Sequence, residues 1–240
     1  MALAITRENF LLHKLHSLSG VVPVGFYMVQ HLTLNSFSLG GREKFDAVIG
    51  FFEAMPKHIL FALEIGVIWL PLLFHSVYGF FITNRGQQNF LNTKYGWSQN
   101  RMYTMQRWSG IVIFFFLAYH TATTTIYKYI TNDVRVIEYD AWHAKLSSLG
   151  GLILLIYMIG IAASAYHLSY GLWNFAIRWG ITISEKAQNR IQRFSAAAFV
   201  GLTLLGWAAL GGFFLPQNAP ENRSSESTAV PAERQSRVGA

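Results

Sequence analysis

The sequence contains no cysteine. That excludes cysteine-ligated iron–sulfur clusters, covalent c-type haem attachment and disulfides within this chain. Charge is also scarce. Only 13% of the residues are charged, against about 25% in a typical soluble domain. The composition is 52% hydrophobic with a mean hydropathy of +0.29, and the apolar residues fall in long runs, so the chain reads as an integral membrane protein. Acids are the scarcer sign, 12 against 19 Lys and Arg, for a net charge of +7. No basic stripe with interleaved aromatics is offered to a nucleic acid, and the excess reads as topogenic.

A bilayer core takes about 20 apolar helical residues per crossing. Five stretches meet that length, at about 17–37, 58–83, 109–130, 148–176 and 195–215. The expected fold is therefore an all-α integral membrane protein of five transmembrane helices, the first four forming a bundle. Its domains would be a transmembrane domain over 1–216 and a tail over 217–240. That tail is rich in Ser, Pro, Glu and Ala, has no apolar run, and is expected to be disordered. The N-terminal MALAITRENFLLHKLHS carries charge before its apolar run and shows no clear cleavage site, so the first span reads as retained. Of the connections, 38–57 contains FDAVIGFFEAM, a short interfacial helix by its pattern. The stretches 84–107, 131–146 and 178–193 read as polar loops.

Ten of the 19 basic residues fall on the side with the N-terminus and the loops 84–107 and 178–193. Nine fall on the other side, but Arg234 and Arg237 lie far out in the tail and count little in the positive-inside rule. The expected topology puts the N-terminus in the cytoplasm and the C-terminus outside, in a prokaryotic cell membrane.

Each of the first four apolar stretches holds one histidine: His31, His75, His120 and His167. An ionisable group in a bilayer is costly and marks function by default. One such histidine alone is most often a hydrogen-bonded core residue. Four of them, one per span, suggest two metal centres with two axial ligands each, which in a membrane points to haem. Span direction alternates, so depth can be counted. His31 and His120 lie about 18 and 16 residues past the inner starts of their spans, in the outer leaflet. His75 and His167 lie about 8–11 residues before the inner ends of theirs. The two levels are roughly 10 Å apart at 1.5 Å per residue, which pairs His31 with His120 and His75 with His167.

Helical spacing adds neighbours. Ser164, Gly171, Gly160 and Arg178 share the face of His167, where small residues would admit a flat macrocycle and Arg178 could meet its propionates. Gln106 shares the face of His120, and Ser17 and Gly20 lie near that of His31. Glu64 precedes His75 by eleven residues, only about 20° off its face. It is either a neutral acid bonded to a carbonyl or a group that handles protons or quinone. His13, His16, His58 and His143 read as interfacial, as do Trp97, Tyr103, Trp142 and Trp173.

The stretches LHSLSGVVPVGFYMVQHL (15–32), ALEIGVIWLPLLFHSVYG (62–79), MQRWSGIVIFFFLAYH (105–120) and YHLSYGLWNFAIRWGIT (166–182) carry a family resemblance. The chain resembles the cytochrome b membrane subunit of succinate:quinone oxidoreductase (succinate dehydrogenase or fumarate reductase), in its five-helix class with two haems b. The resemblance implies an anchor that passes electrons from an iron–sulfur subunit through two stacked haems b to quinone, with menaquinone common in two-haem relatives. It implies enzyme membership as the membrane subunit only. The dehydrogenase chemistry would reside in a flavoprotein with FAD, which docks with the iron–sulfur subunit on the cytoplasmic face. Assembly into a higher oligomer is compatible with it. The family's ligand pairs match His75 with His167 and His31 with His120, and its propionate contacts match His16, Ser17, Tyr103 and Arg178. The alternative is the cytochrome b anchor of another respiratory enzyme, of fumarate reductase, hydrogenase or formate dehydrogenase type.

Overall fold

A bilayer leaves a spanning segment little choice but to close its backbone hydrogen bonds internally, and every regular element among the described residues is helical. The structure, a computed structural model, describes residues 7–85 and 98–215. The first rod runs from α1 (Arg7–Ser19) through a π-helical segment, Gly20–Gly25, into α2 (Phe26–Asn35). A 3₁₀ turn, Ser36–Gly40, leads to Gly41 at φ 91° and then to α3 (Arg42–Glu53), the expected interfacial helix. The second rod joins α4 (Lys57–Leu63), a π segment Glu64–Trp69 and α5 (Leu70–Arg85). The third joins α6 (Ser98–Thr121), a π segment Ala122–Ile126 and α7 (Tyr127–Thr131), and stops at the left-handed Asn132. After Val134–Ile137 come α8 (Tyr139–Ser147), α9 (Leu152–Arg178) and α10 (Glu185–Gly212).

The π segments have local causes. A proline cannot donate to the helical ladder, and its ring crowds the carbonyl four residues earlier. Pro23 lies inside the first π segment, and Pro71 follows the second closely, so that the carbonyl it crowds, that of Val67, lies within that segment. The third has no proline. There the threonine run back-bonds to the helix, with Thr124 Oγ1 donating to the His120 carbonyl at 2.5 Å and Thr121 Oγ1 to that of Leu117 at 2.7 Å. Such bonds bend and loosen a ladder.

Four helical stretches are long and apolar enough to cross a membrane: Lys57–Arg85, Asn100–Thr131, Tyr139–Arg178 and Glu185–Gly212. They match the last four expected spans. The α1–α2 rod, at the place of the first, is less apolar because Pro23, Gln30, His31 and Asn35 interrupt it. Large apolar side chains such as Phe26, Val77, Phe115 and Ile130 stand exposed on the helices, as a lipid-facing surface requires. The tail 217–240 lies outside the described residues, as do Lys94 and Trp97 in the expected loop 84–107.

The expected loop 131–146 is largely structured. Its α8 joins α9 across a tight turn in which Leu149 and Gly150 are left-handed. This puts α8 over one end of the bundle, where the main apolar cluster sits: Phe45, Tyr139, Trp142, Leu146, Ile153, Tyr157, Leu210 and Phe213. Polar bonds fasten the same end. Arg42 pairs with Asp140 at 2.5 Å, the Tyr139 amide donates to Asp46 at 2.9 Å, and Tyr139 Oη donates to the Gly212 carbonyl at 2.9 Å. Ser38 Oγ donates to the Ala209 carbonyl at 2.6 Å, and a Cβ on Gly212 would lie 2.3 Å from that hydroxyl, so only glycine allows this approach.

Candidate functional site

The rods bring the four span histidines together in twos. The rings of His75 and His167 have centroids 6.0 Å apart and planes at 88°. Those of His31 and His120 are 5.8 Å apart at 79°. On α6, the His167 ring meets Gly110, ten residues before His120. On the first rod, the His75 ring meets Gly20, eleven residues before His31. The two pairs therefore lie at levels roughly 15 Å apart along the helices, somewhat more than the depth count expects.

Each ring is held through its Nδ1 or its faces. His75 Nδ1 donates to the His16 carbonyl at 2.9 Å, and the His16 ring stacks on that of His75 at 4.1 Å and 8°. His167 Nδ1 donates to the Gln106 carbonyl at 3.0 Å, with Ser109 Oγ 3.2 Å away. Gln106 Nε2 returns a bond to the His167 carbonyl at 2.8 Å, so the two residues clamp each other. His120 Nδ1 lies 3.2 Å from Tyr157 Oη, and its ring faces Trp142 and Phe116. Tyr27 lies 5.5 Å from His31. A carbonyl cannot donate, so His75 and His167 carry their proton on Nδ1 and leave Nε2 bare. This is the arrangement by which an outer partner fixes a metal-ligating imidazole.

Two metal–imidazole bonds of about 2 Å each, plus the ring radii, put axial ring centroids roughly 6 Å apart. Both pairs fit that. Backbone approach is also prepared. A Cβ on Gly20 would lie 2.2 Å from His75 Cε1, and one on Gly110 would lie 3.1 Å from His167 Cε1. Among the described residues no group of three or more His, Asp or Glu forms a metal cage, so any metal held by these histidines would be held by pairs. The donor set at each pair, and the glycine cradles at the His75–His167 pair, fit a bis-histidine haem.

The other expected contacts are divided. His16, Ser17 and the end of α9 meet at one place. Trp179 Nε1 donates to Ser17 Oγ at 2.9 Å, and Lys14 Nζ donates to the Arg178 carbonyl at 2.6 Å. Lys14, Arg85 and Arg178 make this end electropositive, and burial, with Arg178 and Arg85 near, pushes His13 below the usual histidine value. The Tyr103 ring meets the Arg107 guanidinium at 5.4 Å. Glu64 accepts from Tyr129 Oη at 2.7 Å and lies within electrostatic reach of Tyr27, the neighbour of His31. Its partner is a phenol and not the carbonyl considered from sequence.

Some expectations change. Gln106 serves His167, not His120. Gly160 makes room for helix packing, because a Cβ there would lie 2.4 Å from the Phe116 ring. Ser164 bonds back to the Gly160 carbonyl at 2.8 Å. Trp142 is not interfacial but buried against His120. Tyr157, Ser109 and Gly110 belong to no sequence motif; their only signal is that Tyr157 and Gly110 stand ten residues, and Ser109 eleven, before a span histidine.

A groove of about 560 Å³ runs beside Tyr27, between Val21, Pro23, Phe26, Gln30 and Val67. Both proline-associated π segments border it.

Comparison with known proteins agrees with a membrane protein of this kind. A family described as "Ferric reductase like transmembrane component" matches residues 64–184, which include three of the four span histidines. The chain is 34% identical over 206 residues to a succinate dehydrogenase cytochrome b558 subunit of Bacillus subtilis (strain 168). That alignment covers 86% of this chain and 98% of the relative.

Proposed function

From the finding that the chain belongs to the family of succinate dehydrogenase cytochrome b558 subunits, we propose that it anchors a succinate:quinone oxidoreductase and carries its electrons to quinone. It is a multi-pass, cytochrome b-type membrane subunit. In this reading the α1–α2 rod is a fifth span, and two haems b are ligated, one by His75 and His167 and one by His31 and His120. The observation that carries the reading is the pair geometry, with ring centroids 6.0 and 5.8 Å apart and Nδ1 of His75 and His167 committed to carbonyls. When bound, a haem supplies one-electron exchange at a potential set by its surroundings.

The chain's own residues do the rest. The electropositive end at His13, Lys14, Arg85 and Arg178 faces the cytoplasm, where the flavoprotein and the iron–sulfur subunit dock, and Arg178, Ser17 and His16 would hold propionates there. Gln106 orients His167. Partners of this kind typically change metal affinity 10- to 100-fold. Gln106→Ala keeps the main-chain carbonyl that accepts from His167 Nδ1 and removes only the side-chain bond to the His167 carbonyl, so it is expected to weaken haem retention at the His75–His167 pair by less than about tenfold, measured as haem lost from the purified complex on dilution in detergent. Retention equal to wild type would contradict this role.

Quinone, menaquinone by the family resemblance, would use the groove at Tyr27 and Gln30, whose apolar walls suit an isoprenoid tail. Glu64, bonded to Tyr129 at the same level, would hand protons to the reduced quinone. Glu64→Gln is expected to cut succinate–quinone turnover at least tenfold and flatten its pH dependence while both haems remain. Unchanged turnover and pH profile would exclude Glu64 from proton handling. Succinate-dependent quinone reduction by the purified native complex, which should contain two haems b per chain, tests the function as a whole.

A further inference from the structure

Lys145 is the basic residue of α8, packed into the end of the bundle that holds His31 and His120. Its ammonium donates to the Thr123 carbonyl at 2.8 Å and sits 4.5 Å over the Trp142 ring. Trp142 in turn faces the His120 imidazole, 6.1 Å between centroids and 29° between planes. Thr123 sits one turn beyond His120 and bonds to its carbonyl at 3.4 Å. Lys145 is thus tied to the His120 site by both of its partners. A carbonyl and an aromatic face are suitable hosts for an ammonium, but neither cancels its charge. The acid on the same helix, Asp140, is paired with Arg42, and no carboxylate among the described residues forms an ion pair with Lys145. An uncompensated charge held in a low-dielectric region acts over distance with little screening.

We infer that Lys145 is a built-in positive charge that raises the reduction potential of the haem ligated by His31 and His120, and of that haem alone. The inference rests on the proposed ligation at that pair. Reduction adds one electron and lowers the charge of the iron site by one. A fixed cation therefore favours the reduced form over the oxidised form. Its field reaches His120 across the buried Trp142 ring. The His75–His167 pair lies roughly 15 Å further along the helices and feels little of it. The cation would make the last carrier before quinone a better electron acceptor than its bis-histidine ligation alone would make it.

The test is a dithionite and ferricyanide redox titration of the purified complex, followed at the absorbance bands of both haems, for wild type, Lys145→Gln and Lys145→Arg. Charge removal in Lys145→Gln is expected to lower the reduction equilibrium of the His31–His120 haem roughly tenfold, about 59 mV for one electron, with the other haem unmoved. Lys145→Arg keeps the charge and should keep the midpoint. Lys145→Met carries the same test should the glutamine variant not accumulate. Unchanged midpoints in the neutral variants, or equal shifts of both haems, would overturn the inference. A wild-type complex with only one haem, indifferent to His120→Ala, would instead overturn the underlying ligation.

Discussion

Gly20→Ala is expected to remove the haem of the His75–His167 pair and leave the other in place. The added Cβ would lie 2.2 Å from His75 Cε1 and 2.6 Å from Nδ1. A ring can escape such a clash only by moving, and this one is confined. Its Nδ1 is bonded to the His16 carbonyl, the His16 ring covers one face, and His167 stands 6.0 Å away. The backbone is no freer, since Gly20 opens the π segment and Pro23 follows it. Overpacking in such sites typically costs 1–3 kcal/mol. Here the cost falls on ligand geometry, because displacing the imidazole turns Nε2 away from its partner. The pyridine haemochrome count per chain should fall from two to one. Gly201, where a Cβ would meet nothing within 4 Å, is the control. Gly201→Ala should retain both haems. Full haem content with an unshifted spectrum in Gly20→Ala would show that the contact does not constrain His75.

The second large effect is expected from His120→Ala. Its ring is packed by Phe116, Trp142 and Tyr157 and lies 3.2 Å from the Tyr157 hydroxyl. Removal has two consequences. The haem shared with His31 is lost, and the aromatic cluster under α8 gains a hole and loses one of the Tyr157 hydroxyl's hydrogen bonds. Large-to-small changes of this kind cost roughly 2–5 kcal/mol. His31→Ala should lose the same haem at smaller structural cost, since His31 lies outside that aromatic cluster. The pair should therefore differ in thermal stability, with His120→Ala the lower, while sharing one difference spectrum. Equal melting temperatures would argue against the role given to His120 in the α8 end.

Much of this was readable in advance, for identifiable reasons. Long apolar runs fix helices in a bilayer, and alternating direction converts sequence position into depth, so the rings that meet are those the count pairs. What fills a helical face is another matter. Periodicity placed Gly160 beside His167 but could not say that the Phe116 ring would occupy it. It placed Gln106 on the His120 side, whereas side chains in a helix reach back toward its N-terminus and this one meets α9 at His167. The α8 helix is not legible in the sequence because its polar residues carry no strong period. Its position depends on left-handed Leu149 and Gly150, and a non-glycine residue in that region leaves no mark in the sequence. The π segments likewise need proline or threonine in a packed context before they form. The first rod meets the length of a span, yet Pro23, Gln30, His31 and Asn35 make it the least apolar of the five.

The central claim is that four histidines act as two ligand pairs. Haem content and reduced-minus-oxidised spectra of His75→Ala, His167→Ala and the double variant test it most directly. All three are expected to lose the same single haem and keep the other, so that the second substitution adds nothing. Loss of different haems in the two single variants, or loss of both in the double, would contradict it.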